Sequence, residues 1–329
     1  MLKIGVLGAG HLGKIHLKCV RELTSHFQLA GFYDIDEQVR KEVSHALQVK
    51  AFPDLHTLLD AVDCVSIVTP TTTHFTLAKT AIENRKHIFI EKPVTSTPDE
   101  SARLMDLVKG EALVAQVGHV ERFNPAMLAV KEIALDPMFV EAHRLASFNP
   151  RGTDVPVVLD LMIHDIDIVL SLVKSPVKTI SASGVPVVSD SPDIANARIE
   201  FENGCVANLT ASRISMKEMR KVRLFQKDAY LSLDFLKKEA QVIRLHEKHT
   251  QAELPPASFE LNTPNGIKVI SMEMPPAVKV NAIKEELKSF ANAINLGSRP
   301  AVPLEDGHEA LRVAWAVMQQ VEERLANTL

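Results

Sequence analysis

What this chain has little of narrows it first. Only three of its 329 residues are cysteine, Cys19, Cys64 and Cys205. They are few, odd in number and far apart, which argues against a disulfide framework and for reduced thiols in a cytosol. Each reads as a small core residue. No apolar run approaches the roughly 18 residues that span a bilayer. The opening MLKIGVLGAG is too short and glycine-rich for a signal peptide, so the expected location is the cytoplasm. Charge is nearly balanced, with 37 Lys and Arg against 41 Asp and Glu and a formal net charge of −4. Without long basic runs there is no electrostatic footprint for nucleic acid or an anionic membrane. Repeats and low-complexity tracts are also missing. The 13 histidines include no His-Glu-x-x-His, and there is no Cys-x-x-Cys, so no metal site is expected. The lack of a Gly-x-Ser-x-Gly elbow excludes serine-based acyl transfer of the hydrolase type.

What is present is the composition of a globular protein, 46% hydrophobic and 24% charged. The length exceeds one ordinary core and predicts two domains, with boundaries at 1–120 and 121–329. In the first, short β-branched runs (Lys3 to Leu7, Gln28 to Tyr33, Cys64 to Thr69, His87 to Glu91, Leu113 to Val117) alternate with helical patterns near His11 to Leu23, Asp36 to Ala46, His74 to Asn84 and Pro98 to Val108. That alternation is the mark of an α/β fold, a doubly wound parallel sheet of the Rossmann type. The second domain reads as α+β with a large, open, mainly antiparallel sheet. Its clearest signal is Asn203-Gly204 between the strands Ala195 to Glu202 and Cys205 to Ala211, a hairpin. Further strands are expected over Lys221 to Gln226, Tyr230 to Phe235 and Gln241 to Leu245, and helices near Asn124 to Ala134, Asn281 to Asn295 and His308 to Asn327. Leu254 to Asn265, with three prolines, is the expected irregular loop.

Gly8-Ala9-Gly10-His11-Leu12-Gly13 follows the strand KIGVL directly and opens a helix, the context in which glycines serve a dinucleotide pyrophosphate. The helix amino end then offers unpaired N–H groups and partial positive charge to the anion. Asp34 ends the second strand, where a carboxylate accepts from the adenosine ribose hydroxyls. It would repel a 2′-phosphate, and Ile35 and Asp36 supply no cation to welcome one. The expected cofactor is NAD rather than NADP.

The segment VVLDLMIHDIDIVLSL, Val157 to Leu172, is apolar yet carries four ionisable residues. At about 100° per residue, Asp160, His164, Asp167 and Ser171 share a narrow stripe while Asp165 sits away from it. A solvated face is usually broad and rich in Lys and Glu; this one is neither. At strand ends of the first domain stand Glu91-Lys92-Pro93 and the run Thr69-Pro70-Thr71-Thr72-Thr73-His74, both at the carboxyl edge where open α/β sheets bind ligands.

Taken together, GAGHLG, VTPTTTH, EKP and the pair Asp160 and His164 resemble the Gfo/Idh/MocA family of oxidoreductases (glucose-fructose oxidoreductase and inositol dehydrogenase-like), and the likeness runs over essentially the whole chain. The resemblance implies an NAD-dependent enzyme acting on a CH–OH group, with Lys92, Asp160 and His164 as catalytic residues in a cleft between domains. It implies cofactor contacts from Gly8, Gly10, His11, Leu12, Gly13, Asp34, Thr69, Pro70, His74, Glu91 and Lys92. Alcohol oxidation needs a base within reach of the hydroxyl, and a neutral histidine suits that task near pH 7. His164 is therefore read as the base. Lys92 either stabilises the developing alkoxide or relays the proton itself, and Asp160 either orients the imidazole or binds a sugar hydroxyl.

The stretches VGHVERFNPA, SFNPRGTDVPVVLDLMIHDID and ASRIS, with the basic run Lys217, Arg220, Lys221 and Arg223, further resemble a subgroup acting on UDP-N-acetylhexosamines, with oxidation at C3. A diphosphate calls for cations; Arg122, Arg144, Arg151 and Arg213 are candidates, with His119 and Asn124 near the sugar or nicotinamide. The competing expectations are an inositol or free-sugar dehydrogenase, a lyase or hydrolase using transient oxidation, and a non-catalytic NAD(H) sensor. An open sheet face presenting Val206, Asn208 and Thr210 predicts a homodimer or homotetramer.

Overall fold

The computed structural model describes residues 1–149, 155–247, 258–264, 266–276 and 278–327. They form two compact units, Met1–Phe123 with Val280–Arg312, and Asn124–Lys279 with Val313–Leu329.

The first unit alternates β1 (Leu2–Leu7), α1 (His11–Glu22), β2 (Phe27–Tyr33), α2 (Glu37–Leu47), α3 (Leu55–Asp60), β3 (Cys64–Ile67), α4 (His74–Glu83), β4 (His87–Glu91), α5 (Pro98–Val108) and β5 (Ala115–Gly118). Its five strands are all parallel, in the order β2-β1-β3-β4-β5. Strands covered on both faces bury every side chain, which is why β3 shows no alternation and is buried throughout, Ser66 included. The three cysteines are free and buried.

The second unit opens with α6 (Pro125–Leu128) and β6 (Phe139–Leu145) and continues through a π turn (Val158–Met162) into α7 (Ile163–Val173). Then come β7 (Val177–Val185), β8 (Ile194–Phe201), β9 (Val206–Ser212), β10 (Met219–Phe225), β11 (Ala229–Asp234), β12 (Glu239–Glu247), β13 (Ser258–Thr263) and β14 (Gly266–Glu273). They make one nine-stranded sheet in the order β13-β14-β12-β11-β10-β6-β9-β8-β7. Every pairing is antiparallel except β6 with β9. Residues alternate between faces as a half-covered strand requires: Ala207, Leu209 and Ala211 of β9 are buried, while Val206, Asn208 and Thr210 are half-exposed. Helix α7 packs over β6 and β9.

Two helices close the chain, α8 (Ala282–Leu296) and α9 (Leu304–Ala326). The sequence boundary at 120/121 assigns both to the second domain. Packing differs. Leu287, Phe290 and Ala291 of α8 join Ile4, Val20, Phe27 and Phe89 in one apolar cluster of the first unit, so α8 covers a face of the parallel sheet, and α9 contributes residues to both units.

Other elements also differ from the sequence expectations. The helix expected over Asn124 to Ala134 is a single turn, after which amides reach three residues back, Lys131 to Leu128 and Ile133 to Val130. Within the expected irregular loop, 258–263 is a sheet strand whose pairing with β14 outweighs its sequence signals; 254–257 and 265 lie outside the described residues. The helix read as continuous from Val157 begins as a π turn, with the Ile163 amide donating to the Val158 carbonyl five residues back.

Asp165 braces this helix to the sheet. Both its carboxylate oxygens accept from the Arg144 guanidinium, at 2.9 and 3.1 Å, and both side chains are almost wholly buried. Removing one member of a buried pair leaves the other charge poorly compensated. We expect Asp165→Ala to cost about 3 kcal/mol, read from the midpoint of urea unfolding; a loss below about 1 kcal/mol would contradict the brace.

Candidate active site

The turn after β1 is built for close approach. Gly8 has φ +92°, and a Cβ there would stand 2.7 Å from the Val68 carbonyl oxygen. A Cβ on Gly13 would lie 2.1 Å from the Gly8 carbonyl oxygen, so only glycine lets α1 pack this tightly on the strand end. Gly10 is of another kind: nothing of the protein lies within 4 Å of where its Cβ would be. Helix α1 also starts without a side-chain cap and without an acid in its first turn, whereas Asp36, Asp54 and Thr97 cap α2, α3 and α5. His11 and Leu12 open α1, with His11 exposed. Uncapped amide donors beside an open glycine make a seat for an external anion, and the pyrophosphate of a dinucleotide fits it. Asp34 follows β2 and holds this loop, accepting from the Ala9 amide at 2.7 Å and the Asp36 amide at 3.0 Å. Each carboxylate oxygen retains a lone pair for a ribose hydroxyl.

A second loop leaves the carboxyl end of β4. The Lys92–Pro93 peptide is cis. Glu91 folds back so that its carboxylate accepts from the Lys92 amide (3.2 Å), while the other oxygen lies 3.2 Å from His16 Nε2. Glu91 pairs with Gly118 of β5, where a Cβ would come within 2.9 Å of the Glu91 carboxyl. From the third loop, His74 crosses over, with Nδ1 2.9 Å from the Pro93 carbonyl and Nε2 2.9 Å from the Thr69 carbonyl. Burial holds His74 below the ordinary histidine range, against the pull of those carbonyls and Glu91. The Thr73 hydroxyl donates to Thr69 Oγ1 and the Pro70 carbonyl, tightening the same loop.

In the second unit, Asp160 lies within the π turn and His164 at the second position of α7, both half-exposed. Asp167, one turn on, is buried, and the Ser171 hydroxyl donates to the Ile168 carbonyl. The narrow stripe therefore has three half-exposed members, Asp160, His164 and Ser171, and one buried member, Asp167. A π turn at such a place widens the helix and re-aims side chains, and such turns are frequent at functional sites.

The comparisons with known proteins agree with this geometry. Residues 2–119 match the model of an oxidoreductase family with an NAD-binding Rossmann fold, and residues 141–230 match the Gfo/Idh/MocA C-terminal domain. The chain belongs to the Gfo/Idh/MocA oxidoreductase family. It is 37% identical to a UDP-N-acetylglucosamine 3-dehydrogenase of Acidithiobacillus ferrooxidans, over 97% of this chain and 96% of that one. A solved structure of the enzyme of that name from the same organism superposes with a TM-score of 0.86, covering 98% of each chain. A myo-inositol 2-dehydrogenase of Thermotoga maritima is 24% identical over 98% of this chain and 97% of its own.

Several residues read from the sequence as site candidates have partners within the protein. Arg144, a candidate for diphosphate binding, is neutralised by Asp165. Arg122 is engaged by Asp306 at 2.7 Å. Asn124 caps α6 by accepting from the Ala126 amide and donates to the Phe235 carbonyl. His74 and Glu91, read as cofactor contacts, are buried straps between loops. His119 and Arg213 are buried too, Arg213 donating to the Val155 carbonyl just before the π turn. In the basic run, Lys221 pairs with Asp234 and Arg223 with Glu141, while Lys217 and Arg220 are exposed. Arg151 lies outside the described residues. Sequence reasoning missed His16 and Glu286, which meet Glu91 in the interior. The signal was there: each is an ionisable residue on an apolar stripe, with Leu12, Cys19, Val20 and Leu23 in one helix and with Ile283, Leu287, Phe290 and Ile294 in the other.

The two glycines separate packing from binding. Gly10→Ala is expected to leave Tm unchanged while weakening NAD binding about tenfold, roughly 1.4 kcal/mol. Gly13→Ala should lower stability itself by about 1–3 kcal/mol through overpacking. Calorimetry with and without NAD checks both; Gly10→Ala protein that binds NAD normally would contradict the anion seat.

Proposed function

We propose that the protein oxidises a secondary hydroxyl of a nucleotide sugar with NAD, at C3 of a UDP-N-acetylhexosamine. The observation that carries this reading is the 37% identity, along almost the whole of both chains, to a UDP-N-acetylglucosamine 3-dehydrogenase, against 24% for the inositol dehydrogenase.

In this reading Lys92 and His164 act on the same hydroxyl. His164 removes the proton as hydride leaves the carbon, because hydride departure without deprotonation would leave a protonated carbonyl. The Lys92 ammonium donates to the oxygen and stabilises its developing negative charge. Asp160 holds the imidazole or a neighbouring hydroxyl. The glycine loop of Gly8, Gly10 and Gly13, with Asp34, would hold NAD, which would supply the hydride acceptor. Since Arg122 and Arg144 are engaged by carboxylates and Arg213 is buried against the Val155 carbonyl, Arg151 is the remaining candidate for the diphosphate. The exposed side of the second sheet carries the Glu141–Arg223 pair at its centre and the Arg198–Glu200 pair on β8, one strand from its edge, and we assign it to contact between copies in a homodimer or homotetramer. None of the described helices is long and apolar enough to cross a membrane, and the free cysteines suit a reducing cytoplasm.

A panel of UDP-sugars, free sugars and polyols, followed by NADH absorbance with mass spectrometry of the product, tests the substrate. Turnover of a UDP-N-acetylhexosamine is expected; faster turnover of myo-inositol would replace the reading with an inositol dehydrogenase. His164→Ala should lower kcat by about 10²–10⁴-fold while NAD affinity is retained. A protein without turnover on any member of the panel, whose NAD response survives that substitution, would be a sensor. A molecular mass that stays monomeric at every concentration would remove the assigned interface.

A further inference from the structure

Beneath the Lys92 turn lies a cluster that the proposed chemistry does not use. His16 of α1, Glu91 of β4 and Glu286 of α8 bring one nitrogen and two carboxylate oxygens within 4.8 Å of one another. His16 and Glu286 have no exposure, and Glu91 has 8%. His16 Nδ1 meets the Ser66 hydroxyl at 3.0 Å, and Nε2 lies 3.2 Å from a Glu91 carboxylate oxygen. The Phe89 ring stands 5.6 Å from the imidazole and 6.0 Å from Phe290, closing the cluster to solvent. Neither carboxylate oxygen of Glu286 has a hydrogen-bond partner in the protein. An ionised carboxylate left so would be prohibitive, and a buried polar group of this kind calls for a cause.

We propose that His16, Glu91 and Glu286 together are positioning residues for Lys92: His16 orients the Glu91 carboxylate that anchors the lysine's amide, and a neutral Glu286 stands behind that carboxylate so that the cluster carries only one negative charge. The claim rests on the reading of Lys92 as the group that stabilises the alkoxide. Its chemistry is simple. Glu91 accepts from the Lys92 N–H and lies 3.2 Å from His16 Nε2, and Glu286 directs its proton toward the same anion through one water. Burial, and then the Glu91 charge, push the Glu286 carboxyl well above the usual carboxylate range. Facing it are His16 and Cys19 from α1, Glu91 from β4 and Gln116 from β5, whose amide donates to the Glu286 carbonyl. A divalent cation is the alternative occupant, but among the described residues only these three ligands gather there, one short of a closed zinc site.

The folded state favours neutral Glu286, so its contribution to stability is complete below its ordinary pKa of 4.5 and is lost as pH rises toward the folded value. Glu286→Gln abolishes that titration, so its stability should fall less than the wild type's between pH 5 and pH 8. In the infrared spectrum at pH 7, the wild-type protein should show a protonated-carboxyl C=O band that Glu286→Gln removes. Glu286→Ala should lower kcat about tenfold, as a displaced catalytic group does, with NAD affinity unchanged, and Glu286→Gln should restore most of it. No protonated-carboxyl band in the wild type, or one equivalent of metal retained through chelator dialysis and lost from Glu286→Gln, would overturn the proposal. Lys92→Ala separates the two readings: if it keeps its turnover, the role of the lysine has failed. If it is inactive and neither Glu286 variant changes kcat, only the positioning claim has failed.

Discussion

The turn from Glu91 to Pro93 is the constraint on which the rest depends. A lysine side chain is long and rotamer-rich, so it can serve a reacting atom reproducibly only if its backbone is held. Here the holding is dense. The Glu91 carboxylate takes the Lys92 amide, His74 takes the Pro93 carbonyl, and Gly118 leaves out the Cβ that would displace Glu91. Each of these groups stands at the carboxyl end of a parallel strand or in the loop that follows it, because a parallel sheet brings all such ends to one edge. The order β2-β1-β3-β4-β5 thus gathers the glycine loop, the threonine loop and the lysine turn along that edge.

The two units meet the problem of polar groups differently. In the first, α2, α3 and α5 start with side-chain caps while α1 and α4 do not, and the open amides of α1 suit a pyrophosphate. In the second, the potentially costly polar residues of an apolar helix are divided. Asp165 is compensated by Arg144 in the interior, and Asp160 and His164 remain accessible. The π turn falls between the brace and the entry of the chain, so a local irregularity and a rigid anchor act on the same few residues. Side chains held this way keep their geometry while substrates exchange.

Much of this was legible in the sequence, and the exceptions have physical reasons. Strong periodicity carried the strands from β1 to β4 and the helices α1, α4 and α5 nearly to the residue, and Asn203-Gly204 marked its hairpin with Gly204 at φ +87°. Strand β6 escaped because FVEAHRL hides its alternation. Arg144 points inward, where an apolar residue is expected, and only its pairing with Asp165 makes that tolerable. Strand β13 escaped because an exposed edge strand needs little apolar signal. The return of α8 to the first unit is a matter of long-range packing, which local pattern does not encode. For the same reason the arginines were legible as cations but not as partners of Asp165 and Asp306.

The most direct measurement is a crystal structure with NAD and an unreactive UDP-N-acetylhexosamine analogue bound. The account predicts the Lys92 ammonium nitrogen and a His164 ring nitrogen each about 3 Å from one sugar hydroxyl oxygen, with the carbon bearing it facing C4 of the nicotinamide. A complex in which that hydroxyl meets neither side chain, or in which the dinucleotide pyrophosphate lies away from Gly10, would contradict it.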